Sequence, residues 1–202
     1  MNKLYIDILT WLNNQNLLEI LGVSTGILCV YLAAKNTILS WPIAIISSAV
    51  YIIIFMNAKL YADMVLQVYF IITSCYGWYF WSHKSKSIVL VSSITKKGVL
   101  FSATAIVTVT TLLGFILENK TDASFPWIDS FCTACSIVAT ILLARKVMEN
   151  WLIWIFVDII YVGVYIDKDL HNTAAMYTFY IYIAALGYLN WKKEFRLQNR
   201  GP

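Results

Sequence analysis

Charge is scarce in this chain of 202 residues: Asp, Glu, Lys and Arg make up 13%, against 60% hydrophobic residues. A soluble domain carries about 25% charged residues. So little charge cannot cover a water-facing surface, and so much apolar mass argues against disorder. Proline and glycine are also sparse, at three and eight, which argues against a turn-rich β-barrel. Histidine occurs twice, as His83 and His171, in loops predicted on opposite sides of a bilayer, so the two cannot pair as metal ligands. The four cysteines, Cys29, Cys75, Cys132 and Cys135, sit inside apolar runs, where a thiol behaves as a small hydrophobe. Cys132 and Cys135 form a C-x-x-C with no second pair beside it. There is no phosphate-cradling glycine loop, and no Ser, His and Asp share a depth. The net charge of +4 is too small for a nucleic-acid surface. These absences leave a helical membrane protein that is not an enzyme and has no cofactor.

What is present is length of apolar sequence. Seven stretches stand out, at 17–34, 41–57, 60–81, 98–117, 126–144, 150–166 and 172–191. A bilayer span takes about 20 apolar residues. β-branched and aromatic residues are common here, yet the runs are too long for strands. Residues 1–16 read as an interfacial amphipathic helix.

The basic residues orient the chain. With the N-terminus on one face, eleven Lys and Arg fall on the other: Lys35, Lys84, Lys86, Lys96, Lys97, Arg145, Lys146, Lys192, Lys193, Arg196 and Arg200. Four remain: Lys3, Lys59, Lys120 and Lys168. The positive-inside rule puts the N-terminus outside and the C-terminus in the cytoplasm.

A shift of 110 residues aligns 32–81 with 142–191 without a gap, and ten of the fifty positions are identical. Trp41 meets Trp151, Tyr51 meets Tyr161, Gly77 meets Gly187 and Trp81 meets Trp191. An odd linker helix between two three-helix units gives both the same orientation. The predicted fold is therefore all-α with seven transmembrane helices in a parallel 3+1+3 repeat, of a kind that binds substrate near the midplane between its halves. The segments are 1–16 (interfacial), 17–81 (first repeat), 82–125 (cytoplasmic loop, linker helix and outer loop), 126–192 (second repeat) and 193–202 (cytoplasmic tail).

Asp158 falls mid-way along the sixth stretch. A carboxylate at that depth costs about 2.5–3.5 kcal/mol on insertion scales, and such residues face a cavity or a partner. Trp151, Trp154 and Asp158 are spaced i, i+3, i+7 and share a helix face. Two indoles and an anion suit a flat cationic ring, with cation–π contacts worth about 0.5–2 kcal/mol each. Gln67 on the third stretch is repeat-paired with Tyr177 on the seventh. Tyr161 lies one turn from Asp158, and Asn172 and Tyr180 join Tyr177 on the seventh helix. Trp41 and Ser48, the mates of Trp151 and Asp158, face them as an opposite wall.

The segments KLYADMVLQVYFIITSCYGWYFW, NWLIWIFVDIIYVGVYIDKDL and ALGYLNWKK resemble the PnuC family of bacterial vitamin transporters over nearly the whole chain. The most specific parts are the W-x-x-W of Trp151 and Trp154 and the YAD-x-x-LQ-x-Y run from Tyr61 to Tyr69. The resemblance implies a homotrimer in the inner membrane that passes an unphosphorylated vitamin by facilitated diffusion, with a separate cytoplasmic kinase trapping the product. It places Trp151 and Trp154 in the substrate-binding motif, Gln67 at a polar third-helix position and Asp158 one turn beyond the motif. Nicotinamide riboside leads as substrate. Thiamine, also a cation, is the alternative; neutral riboflavin ranks third. A competing reading is a substrate-capture subunit of an energised importer. A membrane-embedded enzyme using Asp158 lacks a second catalytic group.

Overall fold

The computed structural model describes residues 17–57, 61–83, 90–121, 125–167 and 171–199. These contain seven helices: α1 (Leu17–Ala34), α2 (Ser40–Asn57), α3 (Tyr61–His83), α4 (Lys96–Lys120), α5 (Pro126–Ala144), α6 (Asn150–Asp167) and α7 (His171–Gln198). Each coincides with a predicted apolar stretch. The largest difference is at α7, which runs seven residues past the predicted end at 191. Beyond Trp191 the helix continues through Lys192, Lys193, Glu194, Arg196, Leu197 and Gln198, all good helix formers in water, with only Phe195 of weaker propensity. The predicted interfacial helix at 1–16 lies outside the described residues.

α4, α5 and α6 are long and apolar enough to cross a membrane, and α1 and α2 carry shorter apolar stretches, Ile20–Ala34 and Ser40–Ile54. α3 and α7 have ample length, but Tyr, Trp, Ser and Thr lower their hydropathy. The burial pattern is that of a protein in an apolar solvent. Phe101, Leu100 and Ile72 are outside, while Ser47, Ser48, Thr73, Ser74, Ser136, Thr140 and Asp158 are buried. Among the buried hydroxyls, those of Thr73, Ser136 and Thr140 donate to the carbonyl four residues back, at 2.7–2.9 Å. Such back-bonding satisfies a hydroxyl that lipid cannot.

Six helices close a ring. α1 packs on α2, α2 on α3, α3 on α5, α5 on α6, α6 on α7, and α7 returns to α1. α4 stands outside this ring against α5. The ring is closed across its two long-range seams by α1 with α7 and by α3 with α5. The Tyr69 hydroxyl on α3 donates to the Ile137 carbonyl on α5 at 3.0 Å across one of these seams.

The turns after α1 and α5 match bond for bond at a spacing of 110. In the first, Asn36 N–H donates to Ala33 O and Thr37 N–H to Leu32 O; in the second, Lys146 N–H donates to Leu143 O and Val147 N–H to Leu142 O. This is the double bond of a Schellman stop, with its left-handed residue at Asn36 (φ 56°) and Lys146 (φ 55°). Each turn then starts the next helix alike: Ser40 Oγ donates to Thr37 O, and Asn150 Nδ2 to Val147 O.

Three helix contacts need glycine because an indole lies against the backbone: Gly114 of α4 under Trp127 of α5, and two that are mates in the 110-residue alignment. A Cβ on Gly77 would come within 2.6 Å of the Trp41 ring, and one on Gly187 within 2.7 Å of the Trp151 ring. Each bare backbone is the slot that locks α2 to α3 and α6 to α7.

Candidate functional site

At the end of the ring where α1, α3, α5 and α7 stop, four tryptophans meet. Trp41 and Trp81 pack edge to face with centroids 5.2 Å apart, and Trp151 and Trp191 do the same at 5.6 Å. Trp81 and Trp191 join the two pairs at 6.1 Å. The Trp81 indole N–H donates to Ala144 O on α5 at 2.9 Å, and that of Trp191 to Ala33 O on α1 at 3.1 Å. The Trp41 and Trp151 indole N–H groups are buried without a partner, an arrangement that costs about 1–3 kcal/mol per group.

Inward from this cluster the chemistry changes. Trp154 and Tyr180 are partly buried and pack on the cluster's inner side. Asp158 lies two turns along α6 from Trp151, about 10 Å deeper at the helical rise, and is 5% exposed. Tyr177, Tyr180 and Cys132 are within electrostatic reach of its carboxylate. The tyrosines form a connected group. Tyr161 and Tyr165 stack at 5.9 Å, both lie within 5.2 Å of Tyr177, and Tyr177 meets Tyr180 edge to face at 5.8 Å. The Tyr180 hydroxyl reaches across to α1, 3.4 Å from where a Gly26 side chain would begin. There it lies beside Ser47 and interacts with Tyr51 and Cys29. The Asp158 carboxylate therefore sits beside a tyrosine group from α6 and α7 that extends through Tyr180 to Tyr51 on α2, with α1 opposite, and Asp129 on α5 also acts on Cys132.

The structure brings together Asp158, Tyr161, Tyr177 and Tyr180, and packs Trp154, like Tyr180, on the tryptophan cluster. It assigns Trp151 and Trp41 to the tryptophan cluster, where Gly187 and Trp191, or Gly77 and Trp81, occupy their rings. Ser48 is buried on α2 and Gln67 half-buried on α3, two residues before the Tyr69 bridge. The Asn172 side chain lies outside the described residues. Sequence reasoning paired Trp81 with Trp191 in the repeat and counted Lys146 among the orienting basic residues, but gave none of them, nor Glu194, a place in a site. For the tryptophans a signal existed, since G-x-x-x-W occurs at Gly77–Trp81 and again at Gly187–Trp191. Among the described residues no group of His, Cys, Asp and Glu could hold a metal ion.

Among the described residues no Lys or Arg falls within α1, α2, α3, α5 or α6, those of α4 stand at its two ends, and those of α7 (Lys192, Lys193 and Arg196) lie beyond Trp191, so none is at the depth of Asp158. The arrangement can hold a compact cation with hydroxyl groups. It has nothing to neutralise a phosphate.

Comparison with known proteins identifies the family. The profile of a family described as nicotinamide mononucleotide transporter matches residues 16–193. The nicotinamide riboside transporter PnuC of Escherichia coli is 28% identical, the match covering 86% of this chain and 84% of that protein. The riboflavin/roseoflavin transporter RibM of Streptomyces davaonensis is 23% identical over 95% of this chain and 96% of its own length. A crystal structure of the vitamin B3 transporter PnuC superposes with a TM-score of 0.75 at 25% identity, covering 96% of this chain and 88% of that one.

Proposed function

The chain belongs to the nicotinamide mononucleotide transporter family, a family of transporters and not of enzymes, and from that premise we propose that it carries nicotinamide riboside across the bacterial inner membrane by facilitated diffusion. The observation that carries the choice of substrate is Asp158, a buried carboxylate among tyrosine hydroxyls with no cation at its depth. Nicotinamide riboside bears one positive charge on its pyridinium ring and hydroxyls on its sugar. Its mononucleotide adds a phosphate that the site would have to strip of water with no basic group to receive it, a cost of several kcal/mol. Phosphorylation by a cytoplasmic kinase converts the first into the second and so prevents return.

In this reading the substrate lies between two parallel three-helix repeats, 17–81 and 126–192, with 82–125 as linker, 1–16 at the interface and 193–202 as tail. The matched turns, the matched tryptophan–glycine contacts and the reciprocal helix seams support that arrangement. Trp154 and Asp158 flank the pyridinium, Trp151 and Trp41 back it from the tryptophan cluster, and Gln67, Ser48, Tyr161, Asn172, Tyr177 and Tyr180 serve the sugar. The eleven-to-four division of basic residues supports an outside N-terminus and a cytoplasmic C-terminus. A homotrimer follows the family resemblance.

The test is uptake of labelled nicotinamide riboside into proteoliposomes, with unlabelled riboside, its mononucleotide, thiamine and riboflavin as competitors. Riboside competes fully and the mononucleotide does not. Uptake blocked by thiamine or riboflavin alone would replace the substrate, and the riboflavin transporter among the relatives makes the second a necessary arm.

A further inference from the structure

The four tryptophans close the ring at one end, and the contacts that hold them divide in an informative way. Trp41 is wedged against Gly77 and Trp151 against Gly187. Each wedge lies within one three-helix unit. The contacts between units are different ones. They are the Trp81–Trp191 ring contact, the Trp81 N–H to Ala144 O on the opposite unit, and the Trp191 N–H to Ala33 O in return. A seam therefore passes between Trp81 and Trp191, fastened by two reciprocal hydrogen bonds.

Over this seam lie the two matched turns. Lys146 holds the left-handed position that its mate Asn36 holds in the other turn. Glycine or asparagine is the ordinary occupant there, and a lysine is disfavoured. Its side chain folds back, 9% exposed, with Nζ 4.3 Å from the centre of the Trp81 ring. Glu194, one turn past Trp191 on α7, accepts from Asn36 Nδ2 and exerts its charge on Lys146. One carboxylate of the second unit thus ties the first unit's turn to the lysine capping the seam.

We propose that this tryptophan cluster, with Lys146, Glu194 and Asn36 as its cap, is the closed gate on the Lys/Arg-rich side of the transport path. Opening parts Trp81 from Trp191 and breaks the two indole–carbonyl bonds, while Trp41 and Trp151 stay in their glycine slots. The proposal rests on the transport reading above, so its test includes a readout that needs no substrate.

Ser47 is buried on α2, six residues beyond Trp41 and about 9 Å deeper. The Ser47→Cys chain, in membrane vesicles of either orientation, is exposed to a membrane-impermeant maleimide. Labelling at position 47 is read by mass spectrometry. Lys146→Asn is the main variant, because the backbone favours Asn at that position and folding is not at risk. Trp81→Phe with Trp191→Phe is the second; it keeps two aromatic rings and removes both N–H donors. Each is expected to speed labelling several-fold, and only from the Lys/Arg-rich side. Unchanged labelling in both overturns the gate, as does acceleration from the other side.

A third arm bridges the seam. Asn190 Nδ2 lies 3.5 Å from Ala34 O, so Ala34→Cys with Asn190→Cys is joined by a short bis-methanethiosulfonate. Joining is expected to stop uptake of nicotinamide riboside, and reduction to restore it. Full uptake by the joined protein overturns the proposal. If the unjoined chain carries no riboside, the substrate reading fails, and the labelling arm still decides the gate.

Discussion

Two side chains illustrate opposite uses of burial at the scale of the residue. Asp158 is a carboxylate held away from water among tyrosines. Its replacement by Asn keeps the shape and removes the charge. The expected result is at least a tenfold loss of riboside uptake, about 1.4 kcal/mol of binding or transition-state energy, with thermal stability equal to or above that of the parent. Uptake at the parent rate would remove Asp158 from the site. Lys146 lies outside the spans, in the turn between α5 and α6. Burial pushes its ammonium below the usual lysine value, and Glu194 partly offsets this. A lysine whose value falls on folding binds its proton less tightly in the native state. Its penalty is full below the lowered value and fades as pH rises toward 10.5. Lys146→Met should therefore gain melting temperature over the parent at pH 7, and the gain should shrink by pH 10. A gap of constant size across that range would contradict the burial of this charge.

At the scale of the element, the helices are registered by indoles seated on bare backbone. Gly187→Ala and Gly77→Ala each force an aromatic ring away by several tenths of an ångström or more. Overpacking of this kind costs about 1–3 kcal/mol, and a thermal unfolding series should show a drop for each. The two losses should be similar, because both slots have the same construction. These slots were only half legible in the sequence. The repeat aligned Gly77 with Gly187 and Trp41 with Trp151. It did not reveal that each glycine receives a tryptophan from the neighbouring helix. Trp151 and Trp154 read alike, as two members of one motif. The structure gives the first a packing role against Gly187 and leaves the second partly buried, packed like Tyr180 on the tryptophan cluster.

For the whole molecule, the proposed two-unit arrangement of the six-helix ring suits alternating exposure of one site, and no ion-coupling group is needed. Riboside should enter proteoliposomes until inside and outside concentrations match, with or without a pH gradient. Accumulation above that level should require a kinase and ATP inside the vesicle. Concentration driven by a proton gradient alone would instead make Asp158 a coupling site.

The sequence by itself determined where the helices lie and that their outer surfaces are apolar. The reason is solvation: in lipid every backbone amide must be satisfied within its own helix, so each span is written as one unbroken apolar run. Only the tertiary structure decided how each helix is turned about its axis. Helices apolar on every face carry no stripe that marks which side meets a neighbour. The meeting of Trp81 with Trp191 across 110 residues and the reach of the Glu194 charge to Lys146 above them were therefore decided only in three dimensions.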